Sequence, residues 1–280
     1  MASLPFARAS HEGRPSAAPG GRDALRAAGK AGFAARGVVY VLVGLLAAGI
    51  ALGREADEAD RQGALREIAA RPFGTVLLWL LVAGFACMTL WRASTAVRGE
   101  AGEAGGKKTG KRLLNAGRAV FYATVCWGTA AFALGSGGQS GSDSSSKDWT
   151  ATALGLPGGR FLVAAAGAVL VGVGAGIAVR AVQRKFLRKL RTGGMGRRTR
   201  RAVTASGIAG NTARGTVFAA AGVFVLVAAV RFDPDRAKGV DDTLRSFTGT
   251  PAGPWLLLAV ALGLLLFGVF SLACARWRRT

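Results

Sequence analysis

Six stretches of this chain are apolar almost without interruption, and the charged residues collect between them. The stretches cover roughly residues 33–52, 74–95, 118–135, 160–179, 213–231 and 254–275. A helix rises 1.5 Å per residue, so about 20 residues cross a hydrocarbon core of about 30 Å. In lipid every backbone amide must find its partner inside the segment, which makes these runs helices. The pattern predicts an all-α polytopic integral membrane protein with six transmembrane helices.

The runs recur with a period near 80–95 residues, and the period is an internal repeat. The first helix of each copy reads "AARGVVYVL", "NAGRAVFYA" or "NTARGTVFA". An arginine is followed four residues later by an aromatic: Arg36 and Tyr40, Arg118 and Tyr122, Arg214 and Phe218. The second helix of each copy is preceded by proline with glycine two residues on: Pro72 and Gly74, Pro157 and Gly159, Pro251 and Gly253. The arginine-to-proline separations are 36, 39 and 37 residues. We therefore divide the chain into a disordered tail (1–23) and three two-helix repeats (24–99, 112–190 and 200–280). Each repeat crosses an even number of times, so all three copies share one orientation. They can pack with pseudo-threefold symmetry about the membrane normal, odd helices in one ring and even helices in another.

Before each proline lies a short stretch with some helical pattern: "GALREIAARP", "DWTATALGLP" and "DDTLRSFTGTP". Each is expected to form a brief interfacial helix, with Asp148 and Asp242 as N-caps in the second and third copies.

Charge changes the picture by giving the protein sides. The net charge is +22, although only 19% of residues are charged and mean hydropathy is positive. Summed over alternate loops, one face carries 27 basic and 4 acidic residues and the other 10 and 11. The positive-inside rule places the richer face, with both termini, in the cytoplasm of a plasma-membrane protein. That asymmetry explains the basicity without nucleic acid. The N-terminal 22 residues show no apolar core of a signal peptide.

Candidate chemistry is sparse. His11 is the only histidine, and Cys87, Cys126 and Cys274 are scattered, so neither a metal-ligand set nor a disulfide framework is expected. No nucleotide-loop or hydrolase motif occurs, and no acidic residue lies inside a spanning run. Thr89, Thr124, Thr129 and Ser271 are modest polar groups at depth with no base beside them. Neither an enzyme nor a cofactor is expected.

The candidate residues are the repeated ones. Arg36, Arg118 and Arg214, with Tyr40, Tyr122 and Phe218, either hold lipid headgroups or anchor the helices at the interface. From Arg36 to Arg54 a helix climbs only about 27 Å, which places the arginine at the cytoplasmic rim. Ala164, Ala168, Gly172 and Gly176 form an i,i+4 stripe expected to pack against another helix, with Gly263 and Gly268 as weaker counterparts. The basic segment 183–202 is expected to continue the fourth helix and lie on anionic lipid, with a protein partner as the alternative. The serine-rich "GSGGQSGSDSSSKDW" is expected to be a flexible outer loop.

With the repeat laid out, the chain resembles the bacterial membrane family known only as domain of unknown function 1206. The matching residues are "GFAARGVVYVLVG", "GALREIAARPFG" leading into "LLWLLVAGFACMTLWRA", and the closing "PAGPWLLLAVALGLLLFGVFSLACARWRR". The likeness covers about residues 24–280, and Thr150 stands where the other copies have Leu65 and Leu244. It implies three tandem two-helix units and no assigned activity. The expected function is a non-enzymatic structural or lipid-interacting module. A channel or transporter with its path on the pseudo-threefold axis is the alternative.

Overall fold

The computed structural model describes residues 19–54, 58–98, 108–136, 142–246 and 253–278. The described chain is helical throughout: α1 (Pro19–Ala51), α2 (Arg61–Ala69), α3 (Gly74–Arg98), α4 (Lys108–Ala133), α5 (Ser142–Leu154), α6 (Gly159–Val182), α7 (Arg197–Arg231), α8 (Val240–Ser246) and α9 (Gly253–Trp277). Five of these are long and apolar enough to cross a membrane: α1, α3, α6, α7 and α9. The expected third span, α4, is 26 residues long but falls short on composition. Lys108, Lys111, Arg112, Asn115 and Arg118 load its first half with polar groups. Of the expected tail, residues 1–18 lie outside the described residues, and α1 begins at Pro19, so residues 19–23 are helical.

All three short helices are present as α2, α5 and α8. Their expected caps are not. Asp148 and Asp242 lie inside α5 and α8. The described cap belongs to the first copy, where the Asp60 side chain accepts from the Gly63 amide at 2.9 Å. Replacing Asp60 with alanine should cost about 1 kcal/mol, read as faster amide exchange along α2. Much of the expected serine-rich loop is α5, because Ser142 onward is helical; residues 137–141 lie outside the described residues. Leu65 and Leu244 are fully buried under these short helices, and Thr150 takes the same kind of place in the second.

The proline–x–glycine marker has a geometric cause. The residue after proline turns left-handed, Phe73 at φ 64° and Gly158 at φ 75°. The following glycine then lies against the end of the short helix. A Cβ on Gly74 would collide with the carbonyls of Ile68 and Ala69, and one on Gly159 with that of Ala153.

The long helices form a chain of neighbours in the order α4, α3, α1, α9, α7, α6. Glycines set the closest approaches. On α1, Gly37 and Gly44 meet α9 at the Gly268 and Ala261 carbonyls, and on α7, Gly215 and Gly222 meet α6 at those of Gly174 and Gly167. These pairs are spaced by seven residues, which keeps one seam facing the partner along a left-handed crossing. In both copies they fall one and eight residues after the repeated arginine. The second copy has Ala119 and Cys126 there, and Cys126 Sγ reaches the Val82 carbonyl of α3 at 3.5 Å.

The expected stripe of Ala164, Ala168, Gly172 and Gly176 is not the one that packs on α7. A Cβ on Gly172 or Gly176 would meet nothing within 4 Å. The seam runs through Gly167 and Gly174 on the adjacent face. Strict i,i+4 spacing drifts around a helix of 3.6 residues per turn, whereas seven residues come back close to the same side. Gly263 and Gly268 do pack, against Ala213 and Val41.

The basic segment 183–202 does not continue α6. The helix ends at Val182, Arg184 turns left-handed at φ 53°, and two 3₁₀ turns, Lys185–Lys189 and Thr192–Gly194, lead into α7. The turns strap onto the end of α9: Leu190 bridges to Arg278, and the Arg191 amide donates to the Trp277 carbonyl at 2.9 Å. Phe186 stacks edge-on against Phe270 at 5.0 Å. The apolar side chains of this stretch are thus used internally, and its charges face out.

On the opposite side the short helices link the copies. Asp241 of α8 accepts from the Ala59 amide, ahead of α2, at 2.7 Å. Arg61 of α2 donates to the Val125 carbonyl of α4 at 3.4 Å, and burial pulls its guanidinium below the ordinary value.

Candidate functional site

The repeated arginines turn into the bundle. Arg36 and Arg214 each lie 17 residues after the first residue of their helix, near the middle of the 33-residue α1 and the 35-residue α7. About 25 Å of helix therefore continues below them, and Phe33, Trp91, Val203, Phe270 and Leu190 are buried in that part. Both arginines thus lie in the middle of a longer packed helix rather than at a helix end. Sequence length could not show this, because the charged halves of α1 and α7 read as loops.

Arg36 donates through Nε to Ser271 Oγ of α9 at 3.1 Å and through Nη1 to the Tyr122 hydroxyl of α4 at 3.5 Å. Its guanidinium also lies over Phe33 at 4.9 Å and Phe267 at 5.0 Å. Arg214 lies over Tyr40 at 5.7 Å, Phe218 at 5.1 Å and the same Phe267 at 5.0 Å. Tyr40 meets Phe267 edge-on at 4.6 Å. The aromatics of the repeat therefore serve their neighbours as well: Tyr40 of the first copy receives Arg214 of the third, and Tyr122 of the second receives Arg36 of the first. Arg118 is half-buried and lies within electrostatic reach of Arg92.

Sequence reasoning missed two cations. Arg92 on α3 is 5% exposed, stacks on Trp91 at 4.6 Å, and donates to Asn115 Oδ1 at 3.4 Å. Arg278 lies over Phe33 at 4.6 Å and Trp91 at 5.2 Å. Arg92 also feels the charges of Arg278, Arg118 and Arg36. Tyr122 feels Arg36, Arg214 and Arg92. The signal in the sequence was positional: Arg92, Ile177 and Ser271 each lie 20 residues after their repeat's proline. In the first and third copies this position lies near the arginine of the copy packed against it, Arg92 by Arg118 and Ser271 by Arg36.

Four guanidinium groups, from three helices and the chain end, thus converge through shared aromatic rings, and Arg118 lies within electrostatic reach of Arg92. Among the described residues no carboxylate pairs with Arg36, Arg92 or Arg214. The described acidic residues after Asp23 fall in segments 58–67, 143–148 and 233–242, on the side of the short helices. Two like charges roughly 8 Å apart repel by about 2 kcal/mol at an effective dielectric constant of about 20. Cation–π contacts return about 0.5–2 kcal/mol each. Aromatic rings can hold the cluster together, but they do not neutralise it. Among the described residues no group of histidine, cysteine and acidic side chains could hold a metal ion.

The long apolar helices fit a membrane-embedded, all-helical class. Within it the chain belongs to the family described as Domain of Unknown Function (DUF1206), which matches three times in tandem, over residues 31–99, 115–184 and 209–278. A relative from Bacillus subtilis (strain 168), named "Uncharacterized protein YxxB", is 29% identical over 245 residues, covering 87% of this chain and 88% of the relative. No solved structure matches.

Proposed function

We propose that the chain is a non-enzymatic, lipid-interacting membrane module of six spans. Three two-helix repeats stand around a pseudo-threefold axis, with both termini and the basic face on the cytoplasmic leaflet. The pairing of helices supports the symmetry: each second helix packs on the first helix of the next copy, α3 on α4, α6 on α7, and α9 back on α1. It also supports a crossing for α4, whose neighbour α3 is apolar enough to span.

The observation that carries the reading is the state of the basic segment. Arg184, Lys185, Arg188, Lys189, Arg191, Arg197, Arg198, Arg200 and Arg201 are all exposed, with no acidic residue between positions 180 and 214. Each cation near an anionic leaflet contributes about 1 kcal/mol. A conducting path on the axis is served less well, because Tyr122 (8% exposed) and Phe267 (1%) fill the centre at the arginine level.

The test is cysteine accessibility in a background where Cys87, Cys126 and Cys274 are replaced. A cysteine at Thr192 should resist an impermeant maleimide on intact cells and react in inverted vesicles; one at Ser144 should do the reverse. Labelling of the Thr192 position from outside would sink the proposal.

A further inference from the structure

Resting on the lipid-interacting reading, we propose that Arg36, Arg92, Arg118, Arg214 and Arg278 form an internal binding site, lined by Tyr122, for a phosphate-type oxyanion. Three observations carry it. Among the described residues no carboxylate is paired to Arg36, Arg92 or Arg214, so the cluster can take its neutralising charge from an anion outside the chain. Donor capacity is left over inside the bundle: the Nε groups of Arg92 and Arg214 are buried without a hydrogen-bond partner among the described residues. The Arg214 guanidinium lies over the rings of Tyr40, Phe218 and Phe267. Finally, the surplus cation is placed by divergence between the copies. At the position 20 residues after the proline, Ser271 satisfies Arg36 and Ile177 is apolar, but Arg92 adds a charge beside Arg118.

A buried guanidinium with an unmade bond is costly in a packing role and useful in a binding one. Planar forks approaching from different helices suit a tetrahedral, multiply charged oxyanion, which offers acceptors in several directions. A lone carboxylate would satisfy one fork. The oxyanion is either the phosphate of a lipid headgroup or free inorganic phosphate. A headgroup has a way in where the chain of closely packed neighbours ends, because α4 and α6 are not one of the closely packed helix pairs.

The experiment uses the full chain, purified and delipidated. One arm titrates sodium phosphate at constant ionic strength. The other places the protein in phosphatidylcholine nanodiscs with or without phosphatidic acid at about 10 mol%, a probe bearing a phosphomonoester. Thermal unfolding and native mass spectrometry read both. Wild type should gain about 5 °C at saturating anion. Binding should weaken at least about tenfold in Arg92→Gln and Arg214→Gln, and stay unchanged in Arg180→Gln, on the exposed end of α6.

Stabilisation by phosphate alone assigns the site to the free ion. Stabilisation and one retained phosphatidic acid per chain only in the doped discs assign it to the headgroup. No response to either probe overturns the proposal, as does a response that both glutamine variants retain. Should Arg92→Gln fail to fold, Arg92→Lys keeps the charge and loses the fork; wild-type affinity in that variant also overturns the proposal.

Replacing Arg197, Arg198, Arg200 and Arg201 with glutamine should abolish enrichment of anionic lipid around the protein while the phosphate response persists. Enrichment without an anion response in the wild type would remove the internal site and leave the module reading standing.

Discussion

Gly174→Val should lower the unfolding midpoint of the purified protein by about 6–10 °C, while Gly176→Val, two residues along the same helix, should leave it within about 1 °C. A Cβ at Gly174 would lie 2.5 Å from the Ala219 amide nitrogen and 2.6 Å from the Gly215 carbonyl oxygen. Both are backbone atoms of α7, so no side-chain rotation relieves the clash. Overpacking usually costs about 1–3 kcal/mol, and a rigid partner puts this site at the upper end. Helices in lipid gain little from apolar burial and depend on close contact, so separating α6 from α7 removes much of what holds them. Gly176 faces open space, and valine there adds only apolar surface. Equal effects at the two positions would mean that α6 meets α7 on a different face.

Asp241→Ala should destabilise the protein by about 2–3 kcal/mol, and Asp241→Asn by roughly 1 kcal/mol. The Asp241 side chain does two jobs from a buried position, 4% exposed. Oδ1 accepts from the Ala59 amide at 2.7 Å, and Oδ2 accepts from Arg245 Nε at 2.7 Å. Alanine leaves the Ala59 amide buried without an acceptor, which is the larger loss. Asparagine keeps an acceptor and gives up the charge. The ion pair adds little, because the Arg245 side chain is 45% exposed and screened by solvent. Hydrogen exchange at Ala59 separates the contributions: the amide should exchange with the loop around it in the alanine variant and stay protected in the asparagine one. Protection in both would mean that another group can replace the carboxylate and that the first and third copies are not tied here.

The two predictions differ in how far they could be read from residue order. Three copies, their two long helices and the short helix before each proline were legible because each rests on local rules. Apolar length reports a long helix, and a proline followed by a left-handed turn ends a short one. The copies also showed where they diverge, at Thr150, whereas the weaker apolar character of α4 emerged only with the structure. Asp241 gave no sign of its role, since its partner amide is 182 residues away. The small residues of α6 were recognised as packing residues and placed on the wrong face, because two small-residue rows lie side by side on that helix. Only the position of α7 chooses between them. The glycines one and eight residues after Arg36 and Arg214 were the stronger signal, since they recur in two copies at a heptad interval.

The arginines show the same division. Their recurrence marked them, but helix length placed them at an interface and allowed them to point at lipid. In the structure α1 and α7 run on for about five turns below them, and the side chains turn inward onto Phe267, Tyr40 and Tyr122. Arg92 and Arg278 join from helices whose own sequence reads as an ordinary basic end.

By itself the sequence determined that this protein is three tandem copies of a two-helix unit with its positive charge gathered in alternate connecting segments, because length, hydropathy and charge are sums over neighbouring residues. The tertiary structure decided which faces touch, that segment 183–202 straps the end of α9, and that arginines from all three copies meet in one place. Those outcomes depend on the rotation of each helix about its axis and on partners up to 235 residues apart, and no local pattern encodes either.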